Sequence, residues 1–326
     1  MRALRFVTRG GPGTIAFLLA LFTMFCGKSF AATDWSAIQT ALGTDGTELP
    51  GNVLRFELAR LDLTVSVNGQ VLPQQEVAAV ANGYIAFKPI HDSLFFADGS
   101  LPAQESELSA LETALRQNSH IHITAIANHQ ILISPALVWV HFEAIGDGAE
   151  IATSLATALK TIHSPIGISV IPGTNSVFDP GSLLPPNFLK LFNEGFVEQV
   201  TDIFVFYLPR PDENRIALGP VRAETGLGVG QSFYIQIPFS GGTNSATLNI
   251  DFALRADEIQ QVEDTLRAGG FTVSAQHNQF VNDSPHLYFV HASATGDGFA
   301  LGNTLYNVIE IIQQQSRKNC DHDHDF

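Results

Sequence analysis

Residues 127–148 read ANHQILISPALVWVHFEAIGDG, and residues 277–298 read HNQFVNDSPHLYFVHASATGDG. The two stretches align without a gap at an offset of 150 residues, and ten of the 22 aligned positions are identical. The shared positions include a Ser-Pro pair, a Val-His pair and a Gly-Asp-Gly turn. Self-similarity at a fixed offset indicates a duplicated domain.

The repetition continues far upstream of these stretches. Residues 53–62 (VLRFELARLD) lie over residues 203–212 (IFVFYLPRPD) at the same offset, and both segments contain Arg-x-Asp. Because identities fall at both ends of each copy, two tandem domains are predicted. The boundaries that follow are a first repeat over 34–163, a Pro-rich connector over 164–187, a second repeat over 188–315 and a mobile Asp/His tail over 316–326.

Each copy carries the same pattern of strands and helices. Residues 54–58 and 63–67 alternate apolar and polar side chains, as half-buried strands do. Residues 105–117 and 257–268 have apolar side chains on one helical face, and further helices are predicted to begin at the two Gly-Asp-Gly turns. The predicted fold class is α+β: two tandem copies of one domain, each an antiparallel-rich sheet with two amphipathic helices on one face.

The N-terminal segment has the features of a secretory signal peptide over 1–31. Three arginines precede the apolar run 14–25, and the small residues Ser29 and Ala31 suit cleavage after position 31. The apolar run is too short to span a bilayer as a helix. We therefore expect an exported protein, periplasmic or secreted. The alternative is a lipoprotein anchored through Cys26, although Phe25 is not the small residue expected before a lipidated cysteine.

Composition excludes several classes of protein. The chain of 326 residues is 45% hydrophobic and carries a formal charge of −15, so it has ample core and an acidic surface. Nucleic acids and anionic lipid surfaces bind basic patches, so neither is expected as a partner. No second long apolar run follows residue 31, so the processed chain is not expected to be an integral membrane protein. The expected partner is an unidentified envelope ligand or protein.

A set of motifs in this order resembles the LppY/LpqO-type family of exported bacterial proteins. The motifs are Arg-x-Asp after the first strand, Ala86-Phe87-Lys88-Pro89, a His-Asn-His triplet ending a strand, and an aromatic strand that ends in histidine before Gly-x-Gly. The resemblance implies tandem domains of no established activity. Each copy departs from the triplet, since residues 127–129 read Ala-Asn-His and residues 277–279 read His-Asn-Gln.

The histidines of these motifs are the candidate metal ligands. The first copy has His129 and His141, and the second has His277 and His291. Imidazoles on neighbouring strands suit a divalent transition metal such as Zn, Cu or Ni. Two ligands in one copy make a weak site, but the copies retain complementary histidines, so a composite site between them is conceivable. The alternative is that these histidines bond a sheet edge or a buried carbonyl. His122 and His286 are further candidates.

Three other pairs of polar residues recur in both copies: Asp147 and Asp297, Asn128 and Asn278, and Arg60 and Arg210. The aspartates precede amphipathic helices and are predicted to be N-caps. The asparagines are candidate ligand-binding residues, with turn formation as the alternative. The arginines could receive an anionic ligand or form an ion pair with the aspartate two residues later.

No familiar catalytic motif decides the activity, and the sequence contains no G-x-S-x-G, Walker or H-E-x-x-H pattern. The favoured interpretation is an exported envelope protein that acts as a non-catalytic binding or interaction module. One alternative is a metal-dependent, hydrolase-like enzyme with a histidine site at the strand ends or between the copies. The other is metal sequestration through the strand and tail histidines. Whether the protein is an enzyme stays open at this point.

Overall fold

The structure of the protein is a computed structural model that describes residues 33–67, 69–163, 184–191, 196–200, 203–236 and 245–322. The predicted signal peptide over 1–31 and most of the predicted connector over 164–187 lie outside these ranges. The two repeats belong to one compact unit. Among the described helices, none combines the length and apolar character that crossing a membrane requires.

The first repeat alternates hairpins with helices. In chain order it contains α1 (Ser36–Leu42), β1 (Thr47–Leu49), β2 (Val53–Ala59), β3 (Ser66–Val67), β4 (Gln70–Val71), β5 (Asn82–His91), β6 (Leu94–Gln104), α2 (Glu105–Arg116), β7 (Ile121–Ala127), β8 (Ile133–Ser134), β9 (Leu137–Asp147) and α3 (Gly148–Leu159).

The second repeat follows the same plan. It contains α4 (Pro186–Leu191), β10 (Phe196–Val200), β11 (Ile203–Leu208), β12 (Ala217–Leu218), β13 (Val221–Arg222), β14 (Gln231–Gln236), β15 (Ser245–Arg255), α5 (Ile259–Ala268), β16 (Thr272–His277), β17 (Asp283–Ser284), β18 (Leu287–Asp297) and α6 (Gly298–His322).

The two repeats build the same main sheet. The first has the order β1-β2-β5-β6-β9-β7, the second has the order β10-β11-β14-β15-β18-β16, and every pairing is antiparallel. His141 on β9 and His291 on β18 occupy equivalent strands. The predicted duplication and the α+β fold class are therefore confirmed.

The outer face of each sheet is covered by the helices of its own repeat. In the first repeat Leu111 and Leu115 of α2 and Ile151 and Leu155 of α3 pack against one face of the sheet. The equivalent helices of the second repeat form a matching core. A short third helix, α1 or α4, completes each cover in addition to the two helices that were predicted, and α1 packs on α3. These apolar stripes explain why the amphipathic segments fold as they do.

The inner faces of the two sheets pack against each other. One inner core joins Phe96 of the first repeat to Leu227 and Phe289 of the second. Another joins Trp139 to Tyr207. The described residues therefore form four layers, helix, sheet, sheet and helix. Polar residues of the central strands, such as Arg55, Asp98 and Glu143, are buried between the sheets rather than exposed to solvent.

The predicted N-caps are confirmed at both Gly-Asp-Gly turns. The Asp147 carboxylate accepts from the backbone N–H groups of Ala149 at 3.0 Å and Glu150 at 3.1 Å. Asp297 accepts from Ala300 N at 2.9 Å. Both aspartates thus satisfy helix N–H groups that have no partner within the helix.

Two predicted segments differ from the structure. The strand predicted over 63–67 shortens to β3, because the chain turns first and Val65 is buried in an inner core shared with the second repeat. The tail predicted from Ser316 does not begin there, because α6 continues to His322 with Ser316 buried. Residues 323–326 lie outside the described part of the chain.

Candidate metal centre

Strand parity places two of the histidines between the sheets. On β9, Val140 and Phe142 pack under the helices, so the intervening His141 points to the inner face. The same alternation on β18 turns His291 inward between Val290 and Ala292. Both side chains are almost fully buried.

The other two histidines come from the neighbouring edge strands. His129 lies two residues after the end of β7, and His277 is the last residue of β16. Since β7 pairs with β9 and β16 pairs with β18, each edge histidine lies beside the buried histidine of its own repeat. The meeting of the inner faces then brings all four histidines together.

The imidazole nitrogens of the four histidines converge. The Nε2 atoms of His129 and His141 are 3.1 Å apart, and those of His277 and His291 are 3.0 Å apart. Across the interface, the ring centroids of His141 and His277 are 4.8 Å apart. One ligand nitrogen from each of His129, His277 and His291 lies within 4.8 Å of the others. Each repeat thus contributes one close pair to a single cluster, which we call the histidine cluster.

Aromatic rings support the two edge histidines. The indole of Trp139 stacks on His129 with ring centroids 4.3 Å apart, and its Nε1 donates to Asn82 O at 2.7 Å. In the second repeat Phe289, at the equivalent position, lies parallel to His277 at 6.0 Å. The flat apolar surfaces restrict the ring orientations and exclude water from one side of the histidine cluster.

The four imidazoles are held in the neutral state. Burial lowers the pKa of His129, His141 and His291 well below the usual value, and repulsion from the neighbouring imidazoles lowers these three pKa values further. Burial also lowers the pKa of His277. A neutral imidazole keeps one nitrogen lone pair free, which is the form that binds metal ions.

The tautomer of His277 follows from its hydrogen bond. Its Nδ1 lies 3.0 Å from the carbonyl oxygen of Asn278, and a carbonyl can only accept. Nδ1 therefore carries the proton, and the lone pair is on Nε2, which points into the histidine cluster. A ring nitrogen fixed by a backbone carbonyl is the usual outer contact of a metal-binding histidine.

A small polar cavity adjoins the histidine cluster. It encloses about 60 Å³ between the sheets, and its lining includes Arg55, Tyr84, Ser100, His129, Asp251 and His291. The buried polar atoms in this region that have no hydrogen-bond partner among the described residues include Asp98 Oδ1, Ser100 Oγ, His141 Nδ1 and Asp251 Oδ1. Unpaired buried polar atoms are costly and commonly mark the position of water or an ion.

Arg55 of the first repeat lines the cavity and contacts the second repeat. Its guanidinium lies 3.8 Å from the ring centroid of Tyr84, its Nε donates to Glu57 at 2.5 Å, and its Nη1 donates to Gly226 O at 2.9 Å. The Tyr84 hydroxyl donates to Asp98 at 2.7 Å and accepts from Gln279 Nε2 at 2.5 Å. These contacts fix the two sheets in register beside the histidine cluster.

The residues that build this interface come from two regions of the chain that the same family model matches. The family described as Domain of Unknown Function (DUF1259) matches residues 36–161 and again residues 193–311, which together make up most of the chain. The chain belongs to the DUF1259 family. Its two matched regions coincide with the two repeats, so the family domain corresponds to one sheet with its helical cover.

Other comparisons add no functional information to the DUF1259 assignment. No curated protein sequence matches the chain. EtuB from Clostridium kluyveri is similar at 10% identity with a TM-score of 0.20, covering 84% of this chain and 93% of its own. The trimeric bacterial microcompartment shell protein PduB is similar at 11% identity with a TM-score of 0.18, covering 80% of this chain and 87% of its own. TP0453 is similar at 10% identity with a TM-score of 0.19, covering 82% of this chain and 97% of its own. Scores this low carry no argument about this chain.

Arg60 and Arg210 form ion pairs, which was one of the two alternatives for these residues. Arg60 is fully buried and bonds Asp62 and Glu107. Arg210 bonds Asp212 and Glu258 in the same way. The guanidinium groups of both arginines donate to these carboxylates. Glu107 and Glu258 lie at the N-termini of α2 and α5, so each ion pair links the end of β2 or β11 to a helix.

The remaining predicted residues lie outside the histidine cluster. Asn128 and Asn278 are exposed, because they alternate with inward-facing neighbours, and Asn278 donates to Leu287 O at 3.4 Å. His122 is also exposed, and His286 pairs with Asp283 at 2.8 Å with most of its side chain in solvent. None of these four side chains therefore points at the other histidines.

Several residues of the site were not predicted from the sequence. Arg55, Tyr84 and Asp251 alternate with apolar neighbours on their strands, which is the pattern of a solvent-facing side. In the structure a second sheet covers these residues, and a buried charged side chain needs a partner. Their polar or charged residue type was the one signal in the sequence that could have pointed to them. Strand periodicity alone does not distinguish a face covered by solvent from a face covered by another sheet.

Proposed function

We propose that this DUF1259 protein is a binding module that holds one divalent transition-metal ion, of the zinc type, between its two repeats. The proposed ligands are His129, His141, His277 and His291. The observation that carries the proposal is the close approach of four imidazoles, two from each repeat. His129, His277 and His291 each offer a ring nitrogen within 4.8 Å of the others, and His141 Nε2 lies 3.1 Å from His129 Nε2.

The ligand spacing supports this assignment. Zinc binds imidazole nitrogen at about 2.0–2.1 Å, so two ligands on a tetrahedral ion lie about 3.3–3.4 Å apart. The Nε2 pairs in the histidine cluster, at 3.1 and 3.0 Å, are close to that separation. Imidazole ligands also suit Cu and Ni, whereas Mg and Ca require oxygen.

Binding requires a rearrangement of the rings across the interface. His129 and His291 are stacked face to face, and a metal ion lies in the plane of each imidazole that binds it. The two rings must therefore rotate about their side-chain bonds before both can reach one ion. The adjoining cavity supplies the space for this rotation.

The direct test is the zinc content of untagged protein. The chain is incubated with zinc, freed of unbound metal by gel filtration and analysed by mass spectrometry for zinc per chain. We expect one ion per chain in the native protein and a large loss in the His129→Gln/His277→Gln variant, which removes one ligand from each repeat. Native protein that retains no zinc would contradict the proposal.

Matched controls separate the histidine cluster from other histidines. His286→Gln changes an exposed histidine of the second repeat and should retain the ion. His322→Gln/His324→Gln changes the C-terminal histidines, whose loss should also leave zinc content unchanged. If the C-terminal variant alone loses zinc, metal sequestration by the tail becomes the better description.

A second candidate function is a metal-dependent hydrolase. The cavity beside His129 and His291 favours it, because about 60 Å³ can hold water next to the proposed ion. Its test compares hydrolysis of a chromogenic ester by zinc-loaded protein and by the His129→Gln/His277→Gln variant. Turnover that requires the histidine cluster would support this candidate over a non-catalytic module.

We also propose that the protein is exported, as the resemblance to the LppY/LpqO-type family implies. The arginines before the apolar run 14–25 and the small residues Ser29 and Ala31 support this proposal. The mass of the protein isolated from the source cell tests it. An N-terminus at Ala32 is expected, and an acylated Cys26 would indicate a lipoprotein instead.

A further inference from the structure

The positions opposite the two buried histidines differ between the repeats. In the first repeat His141 on β9 pairs with Ser100 on β6. In the second, His291 on β18 pairs with Asp251 on β15. The buried histidine is therefore present in both repeats, whereas the residue paired with it is a carboxylate in the second repeat alone.

Asp251 has the geometry of a side chain that lacks its partner. Its Oδ1 lies 3.8 Å from His291 Nε2, is buried and has no hydrogen-bond partner among the described residues. The side chain also lines the cavity next to the histidine cluster.

Three other carboxylates on the inner faces already have donors. Glu57 accepts from Arg55, Asp98 accepts from the Tyr84 hydroxyl, and Glu143 accepts from Val281 N at 2.9 Å and Asn282 Nδ2 at 3.0 Å. Asp251 differs from them, since no donor among the described residues lies within hydrogen-bond distance of its carboxylate. The second oxygen of Asp98, Oδ1, is also unpaired, but Asp98 does not line the cavity. It is therefore the inner-face carboxylate available to the histidine cluster.

Charge supplies the reason for a carboxylate at this point. Four neutral imidazoles leave both positive charges of a divalent ion uncompensated in a buried site, which is costly. A carboxylate oxygen is an ordinary zinc ligand at about 2.0–2.2 Å. The distance from Asp251 Oδ1 to His291 Nε2 is only slightly longer than the separation of two ligands on one ion.

We propose that Asp251 supplies a carboxylate as a fifth ligand to the ion, in addition to the four imidazoles, so that the imidazoles come from both repeats and the negative charge comes from the second alone. This inference rests on the proposed metal-binding function. It makes the two repeats unequal in chemistry although they share one fold, and it assigns a role to a buried oxygen that is otherwise unpaired.

The test is the zinc affinity of native protein, Asp251→Asn and Asp98→Asn, each measured by competition with a chromophoric chelator. Asp251→Asn keeps the shape of the side chain and removes its charge. We expect its affinity to fall by at least about tenfold, since even outer-shell partners of metal ligands change affinity by 10–100-fold. Asp98→Asn is the matched control: Asp98 does not line the cavity, and an asparagine amide oxygen can still accept from the Tyr84 hydroxyl, so this variant should retain native affinity.

A second readout distinguishes ligand loss from general destabilisation. The visible spectrum of the cobalt-substituted protein reports the number and type of ligands, and it should change in Asp251→Asn but not in Asp98→Asn. If Asp251→Asn does not fold, Asp251→Ser carries the test, because serine occupies the equivalent position at Ser100.

The two proposals fail in different ways. Native protein that binds no zinc would contradict the metal site itself. Native protein that binds zinc, together with an Asp251→Asn variant of equal affinity and unchanged cobalt spectrum, would overturn the assignment of Asp251 alone.

Discussion

His129 of the first repeat and His291 of the second lie face to face, with ring centroids 3.8 Å apart and ring planes inclined by 17°. Ser274 adds a polar link at the same place, since its hydroxyl lies 2.5 Å from His129 O and 3.2 Å from His291 O. The histidine cluster therefore exists only when both repeats are folded against each other. A ligand bound there would couple the stability of the two halves.

Zinc should raise the melting temperature of the protein. An ion that binds only the folded state stabilises it by about 2.7 kcal/mol when its free concentration is 100 times the dissociation constant. Calorimetry with increasing zinc checks this, and a chelator should reverse the shift. Magnesium serves as the control and should have little effect, because it prefers oxygen ligands. An equal zinc shift in the His129→Gln/His277→Gln variant would show that the ion binds elsewhere.

The metal-free protein should lose stability as the pH falls below about 6.5. Unfolded histidines bind protons near that value, whereas burial lowers the pKa of all four histidines of the cluster in the folded state. The unfolded state then binds more protons, so acid favours it. Burial also raises the pKa of Asp251 to about 7 and the pKa of Asp98 well above its usual value, and these carboxyl groups act in the opposite direction.

Urea unfolding in the presence of a chelator, at pH values between about 5 and 8, measures this dependence. The His141→Gln/His291→Gln variant should show a shallower loss of stability toward acid, because two of the four groups are removed. A pH profile identical to that of the native protein would rule out these histidines as its source.

Replacement of Arg210 by alanine should destabilise the fold strongly. Its guanidinium bonds the fully buried Glu258 at 2.9 Å, and removal leaves that carboxylate without its charge partner. Breaking a buried ion pair in this way costs about 3–5 kcal/mol of unfolding free energy. Chemical denaturation provides the measurement, with the exposed Arg267→Ala as the matched control, expected within about 0.5 kcal/mol of native. Equal stabilities of the two variants would contradict this structural role.

Asp147→Ala should cost about 1 kcal/mol, the usual effect of losing an N-cap. The Asp147 carboxylate accepts two backbone hydrogen bonds at the start of α3, and alanine offers none. Asp147→Asn should recover most of the loss, since its amide oxygen also accepts. Differential scanning calorimetry of the three proteins checks both expectations. Native-like melting of Asp147→Ala, accompanied by loss of zinc, would instead assign Asp147 to the site.

The sequence predicted most of the fold because its signals are local or repeated. The offset of 150 residues revealed the duplication, strand alternation located β2 and β9, and Gly-Asp-Gly turns located the starts of α3 and α6. The prediction of the strand over 63–67 was wrong for the same reason. Its alternation reflected burial of Val65 against the other repeat, and a pattern within one segment does not show what covers it.

The sequence determined which histidines are present and on which strands they lie. Only the tertiary structure decided that the histidines of the two repeats come together. Each copy has lost a different histidine of its triplet, so neither repeat alone has more than two of the four ligands. Packing of the inner faces joins His129 and His141 to His277 and His291, and it places the buried Oδ1 of Asp251 beside His291. Hydrogen-bonded strands set the register within each sheet, whereas the contact between the sheets depends on shape and burial across many residues, which no short motif encodes.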